Sequence, residues 1–383
     1  MYKNILRTPG PTPVPEQVKE AMNHDMISHR SEEFVQLFHQ AAKQIKPFFG
    51  TEQDVYIITG SGTSVLEAAV VNTISSGDEV AVVSIGTFGD RFVSICKKYG
   101  AVVHKLEIEW GKACTGDELA QFLKQYKNIK AVFATYNETS TGVLNPIEDL
   151  ANAVHMNSDA LFIVDGVSCI GGVPAQMDEW GIDILVTGSQ KAMMLPPGLA
   201  FICVSEKAWS VIDNNHALAY YLDLKQYREW YKKGMTPNTP AVSLIYGLSA
   251  ACEMIEKEGL DQTVHRHQLL KSMVREAMSA LKFPILTNEQ DGSPTVTAVC
   301  APPEINVDEL CTHLKKKYHL DLAGGLGKLE GKIFRFGHMG YCFPGDILEA
   351  VSLIECALGD LNYSYDLGAG VKAAQKVYSS YVK

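Results

Sequence analysis

The sequence predicts an α/β protein with a mostly parallel central sheet and a smaller α+β unit behind it. Three observations carry that expectation. Apolar runs such as "VYIIT", "IKAVFAT" and "ALFIVD" lack polar alternation, which marks strands covered on both faces. Helical segments separate them, so the sheet is layered between helices. Beyond about residue 241 the order changes to long helices and then short strands.

The elements follow in chain order. The proline-rich opening "TPGPTPVP" suggests an extended arm. "PEQVKEAMNHDM" starts a helix, with Pro15 near its first turn. "SEEFVQLFHQAAKQIKPFF" is a second helix, with Ser31 as its N-cap. Strands are expected at "VYIIT", "DEVAVVSI", "AVVHKLEI", "IKAVFATYN", "ALFIVDG", "DILVTGS" and "LAFICVS". "VSLIYGLSAACEMIEKEG" and "HQLLKSMVREAMSAL" are long helices, and "PTVTAVCAP" and "IFRFGHMG" are strands of the smaller unit. This organisation divides the chain into an arm at 1–20, a large domain at 21–255 and a small domain at 256–383.

Composition narrows the function. Basic residues number 34 against 44 acidic, a net charge of −10, with no basic stripe, so nucleic acid is not an expected partner. The nine cysteines are scattered without a C-x-x-C pair, which fits a reducing cytoplasm and neither a metal site nor a disulfide framework. The first residues lack the apolar core of an export signal. No run approaches the roughly 18 apolar residues of a membrane span.

Function in such sheets gathers outside the carboxyl ends of the strands. Those ends are Gly60–Thr63, Thr87 and Phe88, Glu138–Gly142, Asp165, and Ser189–Lys191. Asp165 closes "FIVD"; alone it reads as a helix cap or a solvated loop residue. Lys191 follows the next strand; alone it reads as a snorkelling surface lysine. "TGSGTS" offers short hydroxyls and backbone N–H groups where Thr63 opens a helix, which suits a phosphate. It is neither a dinucleotide fingerprint nor a P-loop. A phosphate cradle, an acid and a lysine at successive strand ends are the parts of a pyridoxal 5'-phosphate site. There the lysine forms the Schiff base and the acid holds the pyridinium proton.

The motifs "TGSGTSVLEAA", "GTFGDRF", "NETSTGVLNPI", "VDGVSCIGG", "GSQKAMMLPPGLAF" and "FRFGHMG" together resemble the class V aminotransferases, in the alanine/serine–glyoxylate (pyruvate) branch. The resemblance runs from "TPGPTPVP" to beyond residue 340. It implies PLP fold type I, like that of aspartate aminotransferase, and a homodimer with shared active sites. It also implies a ping-pong transaminase that moves an amino group from alanine, serine or aspartate to glyoxylate or pyruvate. By the same resemblance Lys191 is the Schiff-base lysine and Asp165 the pyridine-nitrogen partner. Ser61, Gly62 and Thr63 form the phosphate turn, with Gln190 beside it and Thr239 reaching it from the other subunit. Phe88 stacks on the ring, and Thr139 lies near the phenolic oxygen. Arg335 clamps the substrate carboxylate, where a structural ion pair is the simpler reading, and Gly10 belongs to the arm nearby. His29 and Arg30 have as good a claim to a solvated or subunit-contact role.

Two departures bear on substrate preference. Tyr136 stands where close relatives often carry histidine, and Thr236 where animal relatives carry tyrosine. Other readings are a 2-aminoethylphosphonate–pyruvate transaminase, or a PLP-fold subunit without its own turnover. Cysteine desulfuration is disfavoured, because "DLAGGLGKLEG" has no cysteine and the ring position is Phe88.

Overall fold

Seven strands make the central sheet: β1 Val55–Gly60, β2 Glu79–Ser84, β3 Val102–Glu107, β4 Ile129–Thr135, β5 Leu161–Asp165, β6 Ile184–Gly188 and β7 Gly198–Val204. They are seen in a computed structural model that describes residues 4–381. Their order across the sheet is β1-β7-β6-β5-β4-β2-β3. All neighbours run parallel except β7, which lies antiparallel between β1 and β6. All seven runs expected as strands form this sheet.

The absence of alternation in the sequence has a direct cause. Successive strand side chains point to opposite faces, and both faces are buried. Val55 and Ile57 pack in one apolar cluster, while Tyr56 and Ile58 pack in another. The same split separates Phe162 and Val164 from Leu161 and Ile163. The exception is the edge strand β3, half exposed and bearing Lys105 and Glu107. Charges there discourage pairing with another edge.

The first four helices of the described residues are α1 Glu16–Met22, α2 Glu32–Phe49, α3 Gly62–Thr73 and α4 Thr87–Lys98, of which α3 and α4 supply residues to the site. Ser31 caps α2 as expected, its hydroxyl accepting from the Phe34 N–H at 3.3 Å. The same helix stops at Gly50, where φ is +60° and a Cβ would lie 2.1 Å from the Ala175 carbonyl, so only glycine fits. Helix α3 opens at Gly62, one residue before the expected Thr63.

Beyond residue 241 come the helices Val242–Glu258 and Leu260–Ala280. The strands Val296–Cys300, Ile333–Gly337 and Ala323–Gly324 then form a small antiparallel sheet with a separate apolar cluster. The described part of the opening segment is tied to this region. Ile5 and Leu6 pair in parallel with Leu320 and Asp321, and the Gly337 N–H donates to the Arg7 carbonyl at 2.7 Å. No helix among the described residues is long and apolar enough to cross a membrane.

Candidate active site

The carboxyl ends of β1, β5 and β6 and the start of α4 enclose a cavity of about 120 Å³. Eight of the nine expected cofactor residues line it: Ser61, Gly62, Thr63, Phe88, Thr139, Asp165, Gln190 and Lys191. The ninth, Thr239, is exposed on the loop before helix Val242–Glu258, outside this cavity.

Lys191 follows β6 directly. Its Nζ donates to the Pro9 carbonyl, and the Gly10 backbone lies against it. A Cβ on Gly10, at φ +105°, would stand 2.7 Å from that Nζ. Burial lowers the Lys191 pKa to about 8, helped by the Arg335 charge and opposed by Asp165. This amine is no snorkelling surface group.

Asp165 ends β5 with 3% of its surface exposed. It accepts the Val167 N–H at 2.8 Å, and it forms no ion pair among the described residues. Burial raises its pKa to about 6, while that hydrogen bond and the charges of Arg91 and Lys191 pull it down. The solvated-loop reading is therefore wrong for this position.

The phosphate-like turn is open for a ligand. Ser61 precedes α3, yet its hydroxyl makes no capping bond, so the helix N-terminus keeps free donors. The Gln190 side-chain oxygen is buried with no partner. A cavity with an aromatic wall at Phe88, a branched aliphatic wall at Val167, a carboxylate at Asp165 and a lone amine fits a planar, cationic, phosphorylated heterocycle. Thr139 donates to the Ser168 hydroxyl at 2.8 Å, inside a network with Asn137 and Thr295.

Arg335 sits in the small sheet, 7% exposed. Its guanidinium donates to the carbonyls of Gly324 and Thr139, at 2.9 and 3.2 Å. It forms no ion pair among the described residues, so the structural-pair reading fails. A buried cation that only carbonyls hold calls for an anion.

Several contributors were given no role by sequence reasoning. Glu138 is fully buried and accepts from the Phe88, Gly89 and Ser140 N–H groups and the Ser140 hydroxyl. Burial raises its pKa to about 7 despite these bonds. It thus holds the first turn of α4, which carries Phe88. Arg91, Asn137, Val167 and Ser168 also line the cavity; their one signal was membership of the quoted motifs. Tyr136 points elsewhere, donating to the Pro174 carbonyl at 2.8 Å and packing edge-on against Trp180. Arg30 stacks over Trp230 and donates to the Thr236 and Pro237 carbonyls. His29 lies outside the cavity.

Comparison with known proteins gives this arrangement its context. The family model "Aminotransferase class-V" matches residues 6–326. The chain is 42% identical over 381 residues to a protein of a Synechococcus species named soluble hydrogenase, small subunit, covering 99% of both. It is 36% identical to the L-aspartate–glyoxylate aminotransferase of Paracoccus denitrificans, covering 98% of this chain and 96% of the relative. The crystal structure of the ureidoglycine–glyoxylate aminotransferase of Bacillus subtilis superposes with a TM-score of 0.93 at 29% identity, covering 99% of each chain. The fold is accordingly PLP fold type I, with a mixed, mostly parallel sheet. The chain belongs to the class-V aminotransferase family and is an enzyme of nitrogenous-group transfer.

Proposed function

We propose that the enzyme uses pyridoxal 5'-phosphate to move an amino group from a small amino acid to a small 2-oxo acid, in two half-reactions through one site. The donor is alanine, serine or aspartate, and the acceptor glyoxylate or pyruvate. The observation that carries this reading is the Lys191 amine, with its pKa lowered to about 8, lining one cavity with the buried Asp165. When bound, the cofactor supplies a conjugated ring that withdraws electrons from the substrate.

This chain's residues do the rest. Ser61, Gly62, Thr63 and Gln190 hold the phosphate, Phe88 covers the ring, and Thr139 serves the phenolic oxygen. Asp165 keeps a proton on the ring nitrogen; pairing with that cation would lower its own pKa. Lys191 forms the covalent attachment at rest. Once freed, its Nζ would take the proton from the substrate Cα and hand it to the cofactor's carbonyl carbon, ending each half-reaction as a neutral amine. Arg335 binds the substrate carboxylate through its planar fork. Gly10 leaves room beside the amine. Thr239 reaches the phosphate of a second copy, so the working unit is a homodimer; the scattered cysteines suit the reducing cytoplasm. Each copy is divided into an arm at 1–20 and domains at 21–255 and 256–383.

Borohydride reduction after incubation with pyridoxal phosphate is expected to leave a pyridoxyl group on the peptide carrying Lys191. A labelled peptide elsewhere, or none, overturns the reading. A panel of amino acids against glyoxylate and pyruvate, scored by keto-acid formation, then identifies the donor.

A further inference from the structure

Arg91 has no place in the scheme above. It lies one turn into α4 and lines the cavity. Its Nη1 donates to the Thr63 hydroxyl at 3.1 Å, and its guanidinium lies 4.7 Å from the centre of the Phe88 ring. It forms no ion pair among the described residues. One side chain therefore spans two walls that arise from different elements, the first turn of α3 and the first turn of α4.

We infer that Arg91 is a cofactor-positioning residue, a strut that fixes the Phe88 ring and the Thr63 hydroxyl relative to each other. The inference rests on the cofactor reading above. A guanidinium suits this task because it stacks on an aromatic face while donating in its own plane. Lysine offers a point charge without that plane. The charge also acts on both reactive groups, since Arg91 lowers the pKa of Asp165 and of Lys191. Each effect favours the form the chemistry needs, an ionised acid and a neutral amine. Near the binding cavity the cation would further attract a phosphorylated ligand.

The test uses the full chain and the variants Arg91→Met and Arg91→Lys. Methionine keeps an unbranched stem while removing the charge and every donor. Pyridoxal phosphate affinity is measured by equilibrium dialysis, and the Lys191 protonation midpoint by amine labelling of the cofactor-free protein across pH. Arg91→Met is expected to weaken binding roughly tenfold, from the lost hydrogen bond and ring contact, and to move the Lys191 midpoint upward. Arg91→Lys is expected to restore the midpoint and only part of the affinity. A strut without electrostatic influence would leave the midpoint unmoved. If either folded variant matches the unchanged protein in both measurements, the inference is overturned. Should Arg91→Met fail to fold, Arg91→Lys alone decides on the same two measurements. Failure of the unchanged protein to bind pyridoxal phosphate would instead overturn the cofactor reading itself.

Discussion

The Lys191 amine donates to the carbonyl of Pro9, a residue 182 positions earlier in the chain. Thr12 strengthens the same junction, its hydroxyl donating to the Lys191 carbonyl at 3.0 Å and its N–H to the Gln190 carbonyl at 3.2 Å. The opening segment thus forms one side of the lysine's surroundings. Gly10→Ala would place a methyl group against Nζ and strain a left-handed backbone. It is expected to weaken pyridoxal phosphate binding roughly tenfold, read by equilibrium dialysis.

Covalent uptake of the cofactor requires the neutral amine. Because the Lys191 pKa is about 8, the uptake rate of the cofactor-free protein should rise with pH through that value and level off above it. Stopped-flow absorbance reads this directly; a midpoint near the ordinary lysine range would contradict it. Lys191→Ala should cut steady-state transamination by roughly 10⁴-fold or more, while binding of the cofactor persists.

Arg335→Lys keeps the charge and loses the fork. KM for the amino donor is expected to rise roughly 10–100-fold, the value of charged hydrogen bonds, with a smaller change in kcat. Equal loss in both parameters would point to a structural disturbance instead.

Glu138→Ala would leave the N–H groups of Phe88, Gly89 and Ser140 without their acceptor. Each buried unsatisfied donor is costly, so a loss of about 3 kcal/mol is expected. Denaturant unfolding measures it. An Ala variant as stable as the parent would mean that the turn finds other partners.

His267 is fully buried and neutral. Its Nε2 accepts the Gly340 N–H at 2.9 Å, so Nδ1 carries the proton and donates to the Thr263 carbonyl at 2.7 Å. Burial and the Arg266 charge lower its pKa from 6.5 to about 4. The unfolded chain therefore binds the proton first as pH falls. The contribution of His267 to stability is complete above about 6.5 and is lost as pH drops toward 4. Thermal unfolding over that range should show His267→Gln less sensitive to acid than the parent.

Strand ends carried most of what could be read before any fold was known. The apolar runs fixed where β1, β5 and β6 stop, and a parallel sheet brings those stops together. That is why Ser61, Asp165 and Lys191 could be grouped from spacing alone. The direction of β7 was not legible, because "LAFICVS" is buried on both faces like its parallel neighbours and pattern carries no polarity. Arg91 was missed, and Glu138 was placed at a strand end without a role, for a related reason. Burial of a charge depends on what folds over it, and a motif shows only that the charge is present. Tyr136, which stands where close relatives often carry histidine, suggested a bearing on substrate choice; its hydroxyl is committed to Pro174, and the side chain does not line the cavity.

The pairing of Ile5 and Leu6 with Leu320 and Asp321 has a consequence for biogenesis. Residues that leave the ribosome early must wait for partners that leave it late, since contacts this distant in sequence close slowly. The central sheet can therefore assemble during translation, while the chamber around Lys191 is completed only once residues 320 and 321 have emerged. Nascent chains stalled before residue 320 should be compact and unable to take up pyridoxal phosphate covalently.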